Sequence, residues 1–178
     1  MKIQKVTEET RAKVYALLRR AFPGSEYEAD LVQTLHAKDK IPHEWVAIHT
    51  NKVIAYLAFS PAYHGKEFCG LHLAPMAVAP DFQKQGIGSE LLHFALRQEP
   101  IKNQPLYVLG KPGFYRRFGF EPCSLPICPF AKNNAHFLSL RNAASSSFTV
   151  GYEPEFKTVA KPVAKPTRPA KTQGKKRR

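Results

Sequence analysis

The sequence is poor in cysteine: three in 178 residues, at positions 69, 123 and 128, with no CxxC pair. An odd number at these spacings fits neither a disulfide framework nor a zinc site, and points to a reducing compartment. No apolar run approaches the ~18 residues that a membrane helix needs. The opening "MKIQKVTEET" lacks the apolar stretch of a signal peptide. These absences predict a cytoplasmic protein with no membrane partner. His43, His49, His64, His93 and His136 show no ligand spacing, so no metal is expected.

Acids are also few, 14 against 27 Lys and Arg, for a formal charge of +13. Such a charge suggests a polyanionic partner until its distribution is considered. Nine of the cations and no acid lie from Lys157 onward, which leaves only +4 on the first 156 residues. The stretch "KTVAKPVAKPTRPAKTQGKKRR" has no aromatics, few large apolar residues and no helical or strand period. It cannot bury enough to offset the entropy of ordering, and residues 153–178 are predicted to be a disordered Lys/Pro/Ala-rich tail on a single domain spanning 1–152. Its charge would attract RNA or ribosomal surfaces weakly and in a salt-dependent way. Without interleaved aromatics it reads no bases, and it serves equally well as a solvated extension.

What is present between 1 and 152 is a mixture of strands and helices. "KIQKV" alternates like a short strand, and Thr7 with Glu ahead of "VYALLRRAF" predicts a capped amphipathic helix that Pro23-Gly24 stops. "SEYEADLVQTLH" puts Tyr27, Leu31, Val32 and Leu35 on one helix face. "EWVAIHTNKVIAYLAFSPA" predicts an antiparallel hairpin turning near Asn51, with Trp45 in the core or a pocket wall. "EFCGLHLAPMAVAP" is a third apolar strand, in which Pro75 cannot donate to a ladder, so a bulge or a departure from its neighbour is expected there. A helix follows from Gln83 to Gln98, then the strand "PLYVLG" and a short helix in "KPGFYRRFGFEP" stopped by a left-handed Gly119. "AHFLSL" and "SFTVGY" complete the expected strands. Residues 68 to 110 therefore form one βαβ unit.

The crossover helix of that unit begins at Q-x-x-G-x-G, residues 83 to 88. Without side chains at Gly86 and Gly88, a ligand can approach the backbone. Unpaired N–H groups at a helix N-terminus, backed by the positive end of the macrodipole, suit a pyrophosphate. A dinucleotide fingerprint is excluded because Leu91 takes the place of its third glycine, and a P-loop because no G-K-[ST] is present. The competing reading is that the glycines only make a tight strand-to-helix turn.

Two ordered segments carry a more specific likeness. "LAPMAVAPDFQKQGIGSELLHFAL" resembles the acetyl-coenzyme A signature of the GNAT superfamily of N-acetyltransferases, and "YVLGKPGFYRRFGF" resembles the strand and helix that follow it, in the form of the YhbS-like subgroup of predicted acetyltransferases. The resemblance implies the GNAT acyl-CoA N-acyltransferase fold, an α/β protein with one mixed sheet whose fourth and fifth strands splay apart around the pantetheine arm. It implies that Met76, Ala77 and Val78 offer backbone groups to that arm. The amides of Gln83, Lys84, Gln85, Gly86, Ile87, Gly88 and Ser89 would hold the pyrophosphate, with Gln83 bracing the loop.

The implied activity is transfer of the acetyl group of acetyl-CoA to a primary amine of a small molecule or protein by direct attack. Tyr115 matches the tyrosine that serves many family members as general acid toward the departing thiolate. Its other reading is an aromatic that packs the short helix on the sheet, a task that Phe114, Phe118 and Phe120 can also fill. A main-chain N–H near Met76 or Val78 would meet the carbonyl oxygen. The base is open: Glu44, Glu67 and His72 lie on or near the relevant strands, each also explicable as a rim charge or a hydrogen-bonded side chain, and a water chain serves as well. The acceptor is equally open, and a lysine, under ~0.1% neutral at pH 7, needs more help from a base than an α-amine. The alternative from another class is a non-catalytic CoA-binding protein tethered to RNA or ribosomes by its tail.

Overall fold

The structure, a computed structural model, describes residues 1–130 and 134–158. A seven-stranded sheet runs in the order β1 (Lys2–Lys5), β2 (His43–His49), β3 (Lys52–His64), β4 (Glu67–Val78), β5 (Leu106–Leu109), β7 (Phe137–Leu140), β6 (Glu121–Pro122). All neighbours are antiparallel except β4 and β5. Helices α1 (Glu8–Ala21) and α2 (Tyr27–Ala37) cover one face, and α3 (Ile87–Leu96) and the single turn α4 (Pro112–Tyr115) cover the other. A last turn, α5 (Glu155–Thr158), packs beside α2.

Local chemistry accounts for most of these elements. Thr10 Oγ1 accepts the Thr7 N–H at 2.9 Å, so the cap of α1 forms with Thr10 rather than with a glutamate. The β2–β3 hairpin turns through Thr50 and Asn51, both left-handed at φ 46° and 61°, as a two-residue loop between twisted strands requires. β3 is buried on both faces from Val53 to Ser60, as a central strand must be. On one side Trp45, Phe59 and Leu73 meet Leu91, Leu92 and Ala95 of α3. On the other, Val46, Tyr56 and Ala77 meet Val14, Leu18, Val32 and Leu35. Gly119 stops the turn after α4 at φ 85°, as expected.

Two expectations are corrected. "SFTVGY" forms no strand: it makes single bridges, Ile127 with Thr149 and Tyr63 with Gly151, because its two sides meet different partners for one residue each. The tail boundary at 153 also falls too early. Glu153, Glu155 and Phe156 are buried, Tyr27 Oη donates to the Phe156 carbonyl at 2.8 Å, and Lys40 Nζ stands 2.8 Å from Glu153 and 3.1 Å from Glu155. Lys38 adds a third contact, 2.8 Å from Glu155. The two lysines clasp a segment whose acids and aromatic precede the lysine-rich run. The remainder of the predicted tail, 159–178, lies outside the described residues.

Candidate active site

Strands β4 and β5 pair at only two positions, Leu71 with Leu106 and His72 with Tyr107. Beyond them β5 stays on β7 through Leu109, while β4 stays on β3 through Val78. The strands therefore diverge and open a cleft. The bulge predicted at Pro75 is present: Leu57 pairs with Met76 and Phe59 with Leu73, so Ala74 and Pro75 together oppose Ala58. The bulge resets which residues face the cleft. Ala79 N–H donates to Ile54 at 2.8 Å. Because alternate residues of an antiparallel ladder face the partner, Ala77 and Ala79 turn their main-chain groups to β3, and Met76 and Val78 turn theirs into the cleft.

The glycine loop closes one end of the cleft. Gly86, at φ 81°, is the N-cap of α3, and a Cβ built there would meet nothing within 4 Å. Its glycine is required by backbone conformation, and the space before it is open. Gly88 is required by contact instead: a Cβ there would stand 3.1 Å from Val78 Cγ2 and 3.2 Å from Met76 Cε. One glycine turns the loop and the other lets the helix N-terminus press on β4. Gln83 Nε2 donates to the Val78 carbonyl at 3.0 Å, which is the bracing expected of it. Gln85 Nε2 donates to the Asp81 carbonyl at 2.9 Å.

A cavity of about 1350 Å³ follows the cleft. Met76, Ala77, Val78, Gln83, Lys84, Gly86, Ile87, Gly88, Ser89 and Tyr115 all line it; Gln85, alone of the expected site residues, does not. This exceeds the ~300–1,000 Å³ of a pocket for one drug-sized ligand. Sequence reasoning missed Lys111 and Arg117, which also line the cavity. The Arg117 guanidinium stacks 4.9 Å from the Phe114 ring centre and donates to Ser89 Oγ at 3.4 Å, which holds it beside the loop. With Lys84 and Lys111 it makes this end electropositive.

Tyr115 lies at the other side of the cleft, its ring edge-on to Phe114 at 4.9 Å and to Phe120 at 5.7 Å. Among the described residues no group hydrogen-bonds its hydroxyl. Burial pushes this phenol up to about 12, so it is protonated at any physiological pH.

Of the three residues weighed as bases, Glu67 is exposed at the β3–β4 turn. Glu44 is committed: its Oε2 takes His36 Nε2 at 2.8 Å and the Tyr56 hydroxyl at 2.9 Å. His72 lines the cavity, buried, stacked 3.9 Å from Tyr152 and tilted against Phe156 at 5.0 Å. Burial pushes its imidazole down to about 3. Among the described residues no group of three or more His, Cys, Asp or Glu is placed to hold a metal ion, and no helix is long and apolar enough to cross a membrane.

A splayed parallel pair, a β4 bulge and a glycine-led crossover helix define a fold, and the comparisons agree on it. Residues 41–122 match the acetyltransferase (GNAT) domain. The seven-stranded sheet has the mixed α/β GNAT fold. More particularly, it resembles the N-acetyltransferases YhbS and YjhQ of Escherichia coli, at 36% identity over 109 residues and 33% over 111. Those alignments span 60% and 59% of this chain but only 65% and 61% of the relatives. The crystal structure of E. coli YhbS in complex with CoA superimposes with a TM-score of 0.81 at 28% identity, covering 89% of this chain and 93% of that one. A GNAT acetyltransferase of Brucella melitensis in complex with acetyl-CoA gives 0.73 at 27%, covering 87% and 97%.

Proposed function

We propose that the protein is a cytoplasmic, acetyl-CoA-dependent N-acetyltransferase acting on a primary amine. One observation carries this reading: a single cleft joins an open, cation-flanked glycine loop to the unpartnered hydroxyl of Tyr115. The CoA and acetyl-CoA complexes of the two structural relatives support the same ligand.

The pyrophosphate rests against the amides of the 83–89 loop, with the α3 macrodipole behind it, and Lys84, Lys111 and Arg117 balance the cofactor's phosphates. The pantetheine arm completes the β4 edge that β5 abandons, accepting hydrogen bonds from the main-chain N–H groups of Met76 and Val78, the Val78 carbonyl being taken by Gln83. That edge also supplies a main-chain N–H for the thioester oxygen as it becomes an oxyanion. Tyr115 gives its proton to the leaving thiolate. Calorimetry with acetyl-CoA, followed by thiol release in the presence of amines, tests the reading. Micromolar binding and amine-dependent release support it, and absence of binding refutes it. The catalytic unit in this proposal runs to residue 158, and the electrostatic contact with RNA or ribosomes expected of the tail would belong to residues 159–178, an appendage to it.

A further inference from the structure

The cavity lining also takes in residues that the cofactor reading leaves unassigned, and these bound a chamber of the same cavity. Its wall comes from α2, β4, the connection between β6 and β7, and the C-terminal segment: Tyr27, Leu31, Phe130, Phe156 and His72, with Glu28 among them. Two features of this chamber are unusual. First, Glu28 is the one acid in the whole lining, against Lys84, Lys111, Arg117 and Lys157, among the described residues. Ser25 Oγ already donates to one of its oxygens at 2.7 Å. Second, His72 is 4% exposed yet makes no hydrogen bond among the described residues. Its Nδ1 is sealed without a partner while the residue borders the cavity, so a proton arriving from the cavity can reach only Nε2.

We propose that this chamber is the acceptor subsite, that it takes a monoamine carried on an apolar, aromatic-sized body, and that His72 Nε2 receives the proton of the attacking nitrogen. The inference rests on the acetyltransferase reading and adds the acceptor class and a catalytic residue to it. A polyamine or a lysine-rich peptide would bring several cations to a chamber whose single carboxylate is Glu28 and which Lys157 also borders, so the extra charges would go unbalanced. A monoamine needs only Glu28 at entry, and its body replaces water against the rings of Tyr27, Phe130 and Phe156. Burial keeps the imidazole neutral, as an acceptor must be.

The step balances. The nitrogen lone pair forms the C–N bond at the thioester carbonyl carbon, and the N–H proton passes to His72 Nε2. The C–S bond breaks with its electron pair on sulfur, and Tyr115 protonates that thiolate. The proton on His72 returns to the phenolate through solvent. A weak base suffices because the nitrogen becomes strongly acidic once the C–N bond has formed.

The test is steady-state thiol release from acetyl-CoA with 2-phenylethylamine, spermidine and a lysine-containing peptide, on the full chain and on His72→Phe and His72→Gln. The wild-type kcat/KM for 2-phenylethylamine is expected to exceed those of the other two by about tenfold or more, the worth of burying one such body. His72→Phe, which keeps the stack on Tyr152, should lower kcat roughly 100-fold while leaving the calorimetric acetyl-CoA affinity within about threefold. His72→Gln keeps an acceptor oxygen but takes no proton, so KM for the amine should stay near wild type while kcat falls. It also carries the test if the phenylalanine variant does not fold. Preference for spermidine or the peptide overturns the acceptor class, and an unchanged kcat in the folded variants overturns the role of His72; both leave the acetyltransferase reading intact. Thiol release with no amine at all refutes that reading and the inference together.

Discussion

The phenol ring of Tyr115 lies directly over Gly110, so close that a Cβ on that glycine would overlap Cε2 and stand 3.2 Å from Cδ2 and 3.3 Å from Cζ. The glycine that ends β5 therefore sets where the phenol sits, which couples the strand's edge to the proposed chemistry. Gly110→Ala should push the ring off its position and lower kcat by about tenfold or more, with acetyl-CoA affinity little changed. Tyr115→Phe should lower kcat by roughly 10²–10⁴, the usual worth of a positioned acid. With the phenol raised to about 12, the acid form persists across the working range, so no loss of kcat attributable to Tyr115 should occur below about pH 11. If Gly110→Ala turns over at the wild-type rate, Tyr115 is not the acid or its placement is not critical.

Gly86 separates strain from charge. Its φ of 81° with open space before it means that alanine there suffers only the left-handed backbone, about 1–2 kcal/mol. Glutamate suffers the same strain and adds a carboxylate where the pyrophosphate would rest. Gly86→Ala should lower the melting temperature by roughly 2–8 °C and weaken acetyl-CoA binding slightly. Gly86→Glu should melt similarly and lose affinity by about 100-fold or more, a cost of ~3 kcal/mol that a like charge at a desolvated anion site readily reaches. Equal affinities for the two variants by calorimetry would show that no anion occupies the loop.

The parts of this molecule that were legible in the sequence are those where the backbone itself demanded a residue type. Pro75 announced the bulge because it lacks an N–H, and the 83–88 glycines announced the turn and the close helix. Gln83 was recognised through the resemblance, and its hydrogen bond to Val78 fits. The acceptor chamber left no such mark. Tyr27, Phe130 and Phe156 come from three distant segments and look like ordinary core aromatics until the fold brings them together. His72 was one of three candidate bases, with a rim charge or a hydrogen-bonded side chain as the competing reading, and the β4 sequence does not reveal that Tyr152 and Phe156 cover it. The early tail boundary had the same cause: composition averages over the lysine-rich run, and the pairing of Glu153 and Glu155 with Lys38 and Lys40 is not a local property. Phe148, Tyr152 and Phe156, recurring every four residues, were the signal that packed chain continues.

Acid should destabilise the protein in two stages. His72 is held neutral by burial at about 3, below its unfolded value near 6.5, so its contribution is complete above pH 6.5 and is lost as pH falls toward 3. Burial alone would raise Glu155, but Lys38, its own backbone N–H and Lys40 more than reverse this and hold it at about 2. Its contribution is complete above about pH 4.5 and is lost as pH falls toward 2. Between pH 6.5 and 4.5 only the histidine of this pair acts, so His72→Phe should flatten the stability profile there and leave the lower stage in place. Urea unfolding of the two proteins at pH 7.5, 5.5 and 4 measures this. Parallel profiles would mean that His72 is not buried in the neutral form.

Two truncations locate the end of the catalytic unit. A chain ending at residue 158 keeps the Lys38 and Lys40 clasp, the Tyr27 hydrogen bond and the Phe156 ring over His72. Its turnover of a small amine should match that of the full chain. A chain ending at 152 loses all three at once. Lys40 is then left without either carboxylate, Tyr27 loses its acceptor, and the acceptor chamber loses a wall. Deleting a buried phenylalanine costs about 3–5 kcal/mol, so the shorter chain should melt several degrees lower. Its KM for the amine should rise while the acetyl-CoA affinity, set by the loop at the far end of the cleft, holds. If the shorter chain retains wild-type stability and amine KM, the segment from Glu153 to Phe156 forms no part of the site; if the longer one loses turnover, residues 159–178 take part in catalysis.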